Sequence, residues 1–234
     1  MSSSNGGKGG RGVIRRLQVR WRTVVLRSAA TVENDRSPSP PGGSVQRREA
    51  EERLLDTAEA LFYERGVQAV GMAEVRTASG VSLKRLYQCF ESKDRLVEAY
   101  LRRRDERWRA SLDRYVTTHP DSGVLAVFDW LHEWFTEPGF RGCAFINSFG
   151  ELGAISPAVA RAAQDHKDTL RAYLLGLLDA PDQEELADQV LVLIDGAITG
   201  AAIGGSPRTA LAARSAAQAL VSAAERNEPT SCQV

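Results

Sequence analysis

Between Gly71 and Phe90 the chain reads GMAEVRTASGVSLKRLYQCF. Leu86 and Phe90 stand four residues apart and share one side of a helix, while Leu83, Lys84, Arg85 and Gln88 fall on the opposite side. Lysine and arginine donate to phosphate oxygens or to the edge of guanine, and a glutamine amide matches the edge of adenine. A short helix with such a face fits the major groove, which is about 12 Å wide. The sequence then continues ESKDRL, opening another helix whose free N-terminal N–H groups, together with Lys93, suit a phosphate.

Other reactive residue types give less. There is no Gly-rich phosphate loop, no HExxH and no GxSxG, and the histidines at 119, 132 and 166 are scattered. Cys89, Cys143 and Cys232 are odd in number and form no CxxC, so neither a disulfide framework nor a zinc site is indicated. No catalytic residue, metal or cofactor is expected, and turnover is not the reading these residues favour. Cys143 stands near the start of a helical stretch, two residues after Arg141. That setting can lower a thiol's pKa and make it reactive to oxidants or electrophiles; the plainer reading is a small buried hydrophobe. Cys89, beside Phe90, reads as packing.

The basic face needs elements to hold it outward. Val75 anchors a short helix over 72–79, Gly80 allows a left-handed turn, Val81 tucks beneath it, and Ser82 caps the next helix, over 83–90. Before them, Leu54, Leu55, Ala58, Leu61 and Phe62 mark one helix face, ended by Gly66. After them, a long helix begins past Ser92, with Leu96, Val97, Tyr100, Leu101, Trp108 and Leu112 on its apolar side. Further helical stretches are expected over 124–137, 143–152, 157–178, 183–203 and 207–224, with Pro157 and Pro207 at tolerated first-turn positions. Strand-like alternation is almost absent. The expected fold is all-α: a three-helix helix-turn-helix unit at 47–100, then a helical bundle at 101–226 and a tail at 227–234. Residues 1–46, Ser/Gly-rich at the start and SPSPPGGS at 37–44, read as a disordered basic arm and linker.

Charge follows this division. Residues 1–110 hold 22 Lys and Arg against 14 Asp and Glu; residues 111–234 hold 8 against 16. The first part therefore suits a polyanion and the second does not. No run approaches the ~18 consecutive apolar residues of a membrane span, and the N-terminus lacks an apolar signal core, so a cytoplasmic location without membrane contact is expected.

Residues 48–100 resemble the N-terminal domain of the TetR family of regulators. The resemblance rests on LFYERG ending at Gly66, the Gly80-Val81-Ser82 turn, Leu86-Tyr87, Phe90 and Ser92-Lys93. It implies a homodimer whose two recognition helices enter successive major grooves of a palindromic operator in double-stranded DNA, and a C-terminal domain that binds a small-molecule effector. By position it implies DNA contacts from Thr77, Ser82, Lys84, Arg85, Tyr87, Gln88 and Lys93, with Tyr87 on a backbone phosphate. Gly71 departs from the Thr usual there, and Arg76 and Ser79 from Ala; Arg76 is expected to face solvent or phosphate. A helical hairpin used only for packing is the competing reading, but a basic outer face is poor packing material.

For the effector, aromatic walls with a few polar tips are wanted. Trp130, Trp134, Phe145 and Phe149 supply the former; Asn147, His166 and Tyr173 supply the latter, ordinary core packing being the alternative. Helices 183–203 and 207–224 carry apolar and small residues suited to a four-helix dimer interface, or to an intramolecular pair. The function expected is that of a sequence-specific transcription regulator, a repressor released from its operator by a small molecule. A DNA-binding regulator without an effector, constitutive or partner-controlled, is the alternative.

Overall fold

The computed structural model describes residues 41–178, 180 and 182–226. Residues 1–40 of the basic arm, and the tail at 227–234 with Cys232, lie outside the described residues. Among the described residues nine α-helices follow in order: α1 (Pro41–Arg65), α2 (Met72–Ser79), α3 (Leu83–Cys89), α4 (Lys93–Thr118), α5 (Ala126–Phe135), α6 (Ala144–Leu152), α7 (Pro157–Leu177), α8 (Gln183–Gly204) and α9 (Arg208–Arg226). A short 3₁₀ segment, Pro120–Leu125, precedes α5, and no strand occurs among the described residues. The all-α expectation holds. Several boundaries shift by one or two residues, and two differences have a local cause. Helix α1 reaches back to Pro41, into the segment read as linker, a residue type that a first helical turn accepts. Val124 and Leu125 belong to the 3₁₀ segment rather than to α5, because Gly123 interrupts the helix with φ +52°.

Helices α1, α2 and α3 enclose a small core of Leu54, Ala58, Phe62, Val75 and Leu86, each at most 3% exposed. Helix α4 belongs to both halves of the molecule. Its first turns bury Leu96, Val97, Tyr100 and Leu101, and its later ones bury Leu112 and Val116. The expected division at residue 100 thus falls inside a continuous helix and a continuous core. An ion-pair network fixes α1 to α4: Arg103 bridges Asp56 and Glu59, and Arg104 and Arg107 also reach Glu59.

In the bundle, α7 packs on α4, α6 and α8, and α9 lies against α5 and α8. Helix α8 is long and apolar enough by composition to cross a bilayer. Instead its Leu186, Val190, Ile194, Ala197 and Ile198 are buried in the bundle, and its Asp195 pairs with Lys167 of α7. The helices at 183–203 and 207–224 do pair within the chain, where the Thr209 hydroxyl of α9 donates to the Ala197 carbonyl of α8 at 3.1 Å. That pairing leaves Val192 (70% exposed), Ile203 (85%) and Leu211 (42%) outward.

Candidate nucleic-acid interface

The turn between α2 and α3 is built by two residues. Gly80 takes φ +65°, a conformation that strains any residue with a Cβ, and a Cβ there would also meet Arg53 Nη2 at 3.1 Å. Ser82 then accepts a hydrogen bond from the Arg85 backbone N–H at 3.3 Å, satisfying an orphan donor of the first turn of α3. Leu86 is fully buried and Phe90 nearly so, which sets the rotation of α3. As a result Ser82, Leu83, Lys84, Tyr87 and Gln88 are exposed and Arg85 is half-buried. No salt bridge within 4 Å holds Lys84 or Arg85 among the described residues, so neither must give up an ion pair to meet a phosphate. Tyr87 leaves half its surface in solvent although it is large and aromatic, which is costly unless something covers it.

Besides the cap Ser82, two of the expected contacts are already engaged. Thr77 is exposed, but its hydroxyl donates to the Ala73 carbonyl at 2.9 Å and accepts from Arg76 at 3.2 Å. Arg76 is thus paired at the surface rather than buried. Lys93 donates to the Gln68 carbonyl at 3.2 Å, and its remaining N–H bonds are free to turn outward. Ser92 caps α4 through the Arg95 N–H at 3.3 Å. Cys89 is half-buried with its thiol toward the Arg47 carbonyl, and burial pushes that thiol above its ordinary value.

Helix α2 starts without a side-chain cap, since Gly71 stands at that position. Gly71 has φ −92°, and a Cβ there would touch nothing within 4 Å. Gly71→Ser is expected to stabilise the chain by a few tenths of a kcal/mol, about 1 °C in Tm, read by differential scanning calorimetry.

A second constellation lies in the bundle. Trp108 of α4 meets Trp130 (5.0 Å between centroids) and Trp134 (6.0 Å) of α5 and His166 (5.3 Å) of α7, each edge-on. Phe145 of α6 stacks flat on His166 at 3.8 Å. His166 Nδ1 lies 2.6 Å from Asp105 Oδ1, and the other oxygen of Asp105 accepts from Arg109 Nε at 2.7 Å. Burial alone would depress the imidazole's pKa, but Asp105 and Cys143 outweigh it and hold His166 above its ordinary value. Burial would likewise raise Asp105, yet His166 and Arg109 hold it low. Burial alone would raise the Cys143 thiol, but the neighbouring His166 outweighs it and holds the thiol below its ordinary range, with help from the charge of Lys167.

Of the residues expected around an effector, Trp130, Trp134, Phe145 and His166 come together here. Tyr173 is buried further along α7, its hydroxyl 3.2 Å from Asp113. The other two do not join. Phe149 is 53% exposed beyond the α6–α7 contact. Asn147 is exposed, donates to the Arg141 carbonyl at 3.0 Å, and borders a separate space of about 220 Å³ between α1 and α6. Sequence reasoning missed Asp105 and Arg109, and placed Trp108 only as an apolar helix position. Asp105 carries no local signal, because its partner lies 61 residues away. Outside the cluster, a groove of about 320 Å³ between α4 and α7 opens onto His166, Phe145, Asp105 and Arg109.

Comparison with known proteins bears on both sites. The family profile "Bacterial regulatory proteins, tetR family" matches residues 54–100. A solved TetR-type transcriptional regulator from Streptomyces avermitilis is 32% identical, with a TM-score of 0.64, 75% of this chain and 98% of that one being covered. A TetR-family transcriptional regulator from Streptomyces coelicolor is 28% identical, with a TM-score of 0.69 and coverage of 76% and 96%. Among curated proteins, an uncharacterized HTH-type transcriptional regulator of Mycobacterium tuberculosis is 42% identical over 65 residues, 27% of this chain and 32% of that one. The HTH-type transcriptional activator FasR of Mycolicibacterium smegmatis is 32% identical over 114 residues, 44% and 52% respectively. The chain spans between a third and about half of the length of these curated relatives.

Proposed function

As the chain belongs to the TetR family of bacterial transcription regulators, we propose that it binds a palindromic operator as a homodimer and that a small molecule in the C-terminal bundle controls that binding. The observation that carries the reading is the rotation of α3: Leu86 is buried, and Ser82, Lys84, Tyr87 and Gln88 face solvent on one short, capped helix. Residues 47–100 are the DNA-reading unit, with Thr77 and Lys93 at the edge of the contact. Gln88 and Arg85 are placed to read bases, while Lys84, Tyr87 and Lys93 are suited to backbone phosphates.

Residues 101–226 hold the effector and the dimer contact. The outward Val192, Ile203 and Leu211 of α8 and α9 supply an apolar face that a second copy covers, giving a four-helix interface. The groove between α4 and α7 has the volume of a small-molecule site and ends on Phe145 and His166. A ligand there bears directly on α4, whose N-terminus closes the DNA-reading unit, so it changes the spacing of the two recognition helices. The reading places the protein in the cytoplasm, gives it no catalytic step, and makes release from DNA the response, although one relative is named an activator.

The test is selection of duplexes from a random pool by the purified full chain, followed by footprinting. A palindrome is expected whose half-sites lie about one helical turn, roughly 10 base pairs, apart. Absence of any enriched sequence would overturn the reading.

A further inference from the structure

We propose that Cys143, His166 and Asp105 form a thiol-activating relay, and that Cys143 adds covalently to small α,β-unsaturated carbonyl compounds, making the bundle a sensor of soft carbon electrophiles. The chemistry stands on the cluster itself; its effect on DNA rests on the regulator reading above.

Three observations converge. The first is the relay: Asp105 holds His166 Nδ1 at 2.6 Å, and His166 and Cys143 border one and the same small void. A carboxylate that orients an imidazole, which in turn takes a thiol proton, is the arrangement that turns a buried thiol into a nucleophile. Beside it stands Lys167 of α7, paired with Asp195 of α8, whose charge favours the thiolate further. The second observation is space. Cys143, His166, Phe145, Lys167, Trp108 and Trp134 border one small void of about 10 Å³. The open groove of about 320 Å³ ends on the other side of the same stacked pair, Phe145 and His166. Those two rings are the partition, and a swing of Phe145 joins groove to void. The third is the lining. Flat aromatic walls suit a planar conjugated carbonyl. Among the described residues the only other thiol is Cys89, on α3 against Arg47, which offers Cys143 no disulfide partner in the bundle.

The step balances without any further reactant. His166 takes the thiol proton, and Asp105 stabilises the resulting imidazolium. The thiolate sulfur bonds to the β-carbon, the C=C π pair moves to give an enolate, and the imidazolium returns the proton to the α-carbon. The net change is addition of S–H across the double bond.

Cys143 also sits where such an addition is felt by the DNA-reading unit. It immediately precedes α6. Just before it, the Tyr63 hydroxyl of α1 donates to the Gly142 carbonyl at 3.0 Å and accepts from the Arg141 N–H at 2.9 Å. At the far end of α6, Glu151 accepts from the Gln68 N–H at 2.7 Å, and the Gln68 carbonyl takes Lys93 of α4. An adduct of several heavy atoms overfills the void, so α6 must shift and carry both clamps with it.

The test treats the full-length protein with methyl vinyl ketone near pH 7 and follows adducts by intact mass and peptide mapping. DNA affinity is measured on a duplex the protein has itself enriched. Cys143 is expected to react about tenfold or more faster than Cys89, with a rate that levels off below the ordinary thiol pKa of about 8.5. His166→Gln and Asp105→Asn should slow the addition by about tenfold or more and return its pH profile to that of an ordinary thiol. Modification should weaken DNA binding by about 10- to 100-fold, whereas Cys143→Ala binds DNA normally and ignores the reagent. Modification only after unfolding, or an unchanged rate in both relay variants, would overturn the relay. A rapid adduct without loss of affinity would overturn the sensing role, and reaction with hydrogen peroxide but not with the enone would overturn the ligand class. If no duplex is enriched at all, the regulator reading fails, and the adduct kinetics still judge the relay separately.

Discussion

Alanine at both Lys84 and Gln88 is expected to lower operator affinity by about 100-fold, each residue contributing roughly 1–3 kcal/mol. The two act differently. Lys84→Ala alone should weaken all duplexes alike and flatten the dependence of log K on log salt by about two ions per dimer, since the phosphate contact of each subunit releases a counterion. Gln88→Ala should relax the preference at one base position and leave the salt slope alone, since a base contact carries no counterion. Both side chains are exposed and outside any ion pair found among the described residues, so Tm should stay within about 1 °C of the parent. Fluorescence anisotropy on the enriched duplex, at several salt concentrations, reads all three quantities. Full affinity in the double variant would move the DNA contacts off α3.

Asp105→Ala should cost about 3 kcal/mol, or roughly 6–12 °C in Tm, because it strands a His166 that is only 3% exposed. The pH dependence follows from the two shifts. Asp105 is held below its ordinary 3.8 in the folded chain, so its contribution is present above that pH and is lost as pH falls through the folded value. His166 is held above its ordinary 6.5, so its contribution is complete below 6.5 and is lost as pH rises through the folded value. The stability gap between parent and Asp105→Ala should therefore be widest between about pH 4 and 6.5 and narrow on either side. Arg109 and Arg102 of α4 and Asp165 of α7 also border this site. Chemical denaturation at a series of pH values measures the gap, and a flat profile would mean that Asp105 and His166 do not titrate as a pair.

The two sites differ in how far they can be read without coordinates, and the difference is one of contact range. The DNA-reading unit is held by neighbours in sequence. Gly80 supplies the left-handed turn, Ser82 caps the helix that starts one residue later, and Leu86 and Phe90 lie one helical turn apart. Every one of those constraints acts within about a dozen residues, so residue types and spacing already imply which face of α3 turns outward. Only the rotamers were hidden: that Thr77 spends its hydroxyl on Ala73, and that Lys93 is strapped to Gln68.

The bundle was legible as helices but not as a site. Periodicity marks an apolar stripe on α6 and cannot say where along it the neighbouring helix ends. Phe145 and Phe149 are equivalent by spacing, yet α7 covers the first and leaves the second 53% exposed. Likewise nothing near Cys143 announces a base, because His166 and Asp105 arrive from two other helices. The sequence by itself determined the helical class, the turn at Gly80 and the outward basic edge of α3, since each depends on backbone conformation and on contacts one turn apart. Tertiary packing alone decided that a cysteine, a histidine and an aspartate share one buried spot, because the energy of that meeting lies in desolvated contacts between residues distant along the chain.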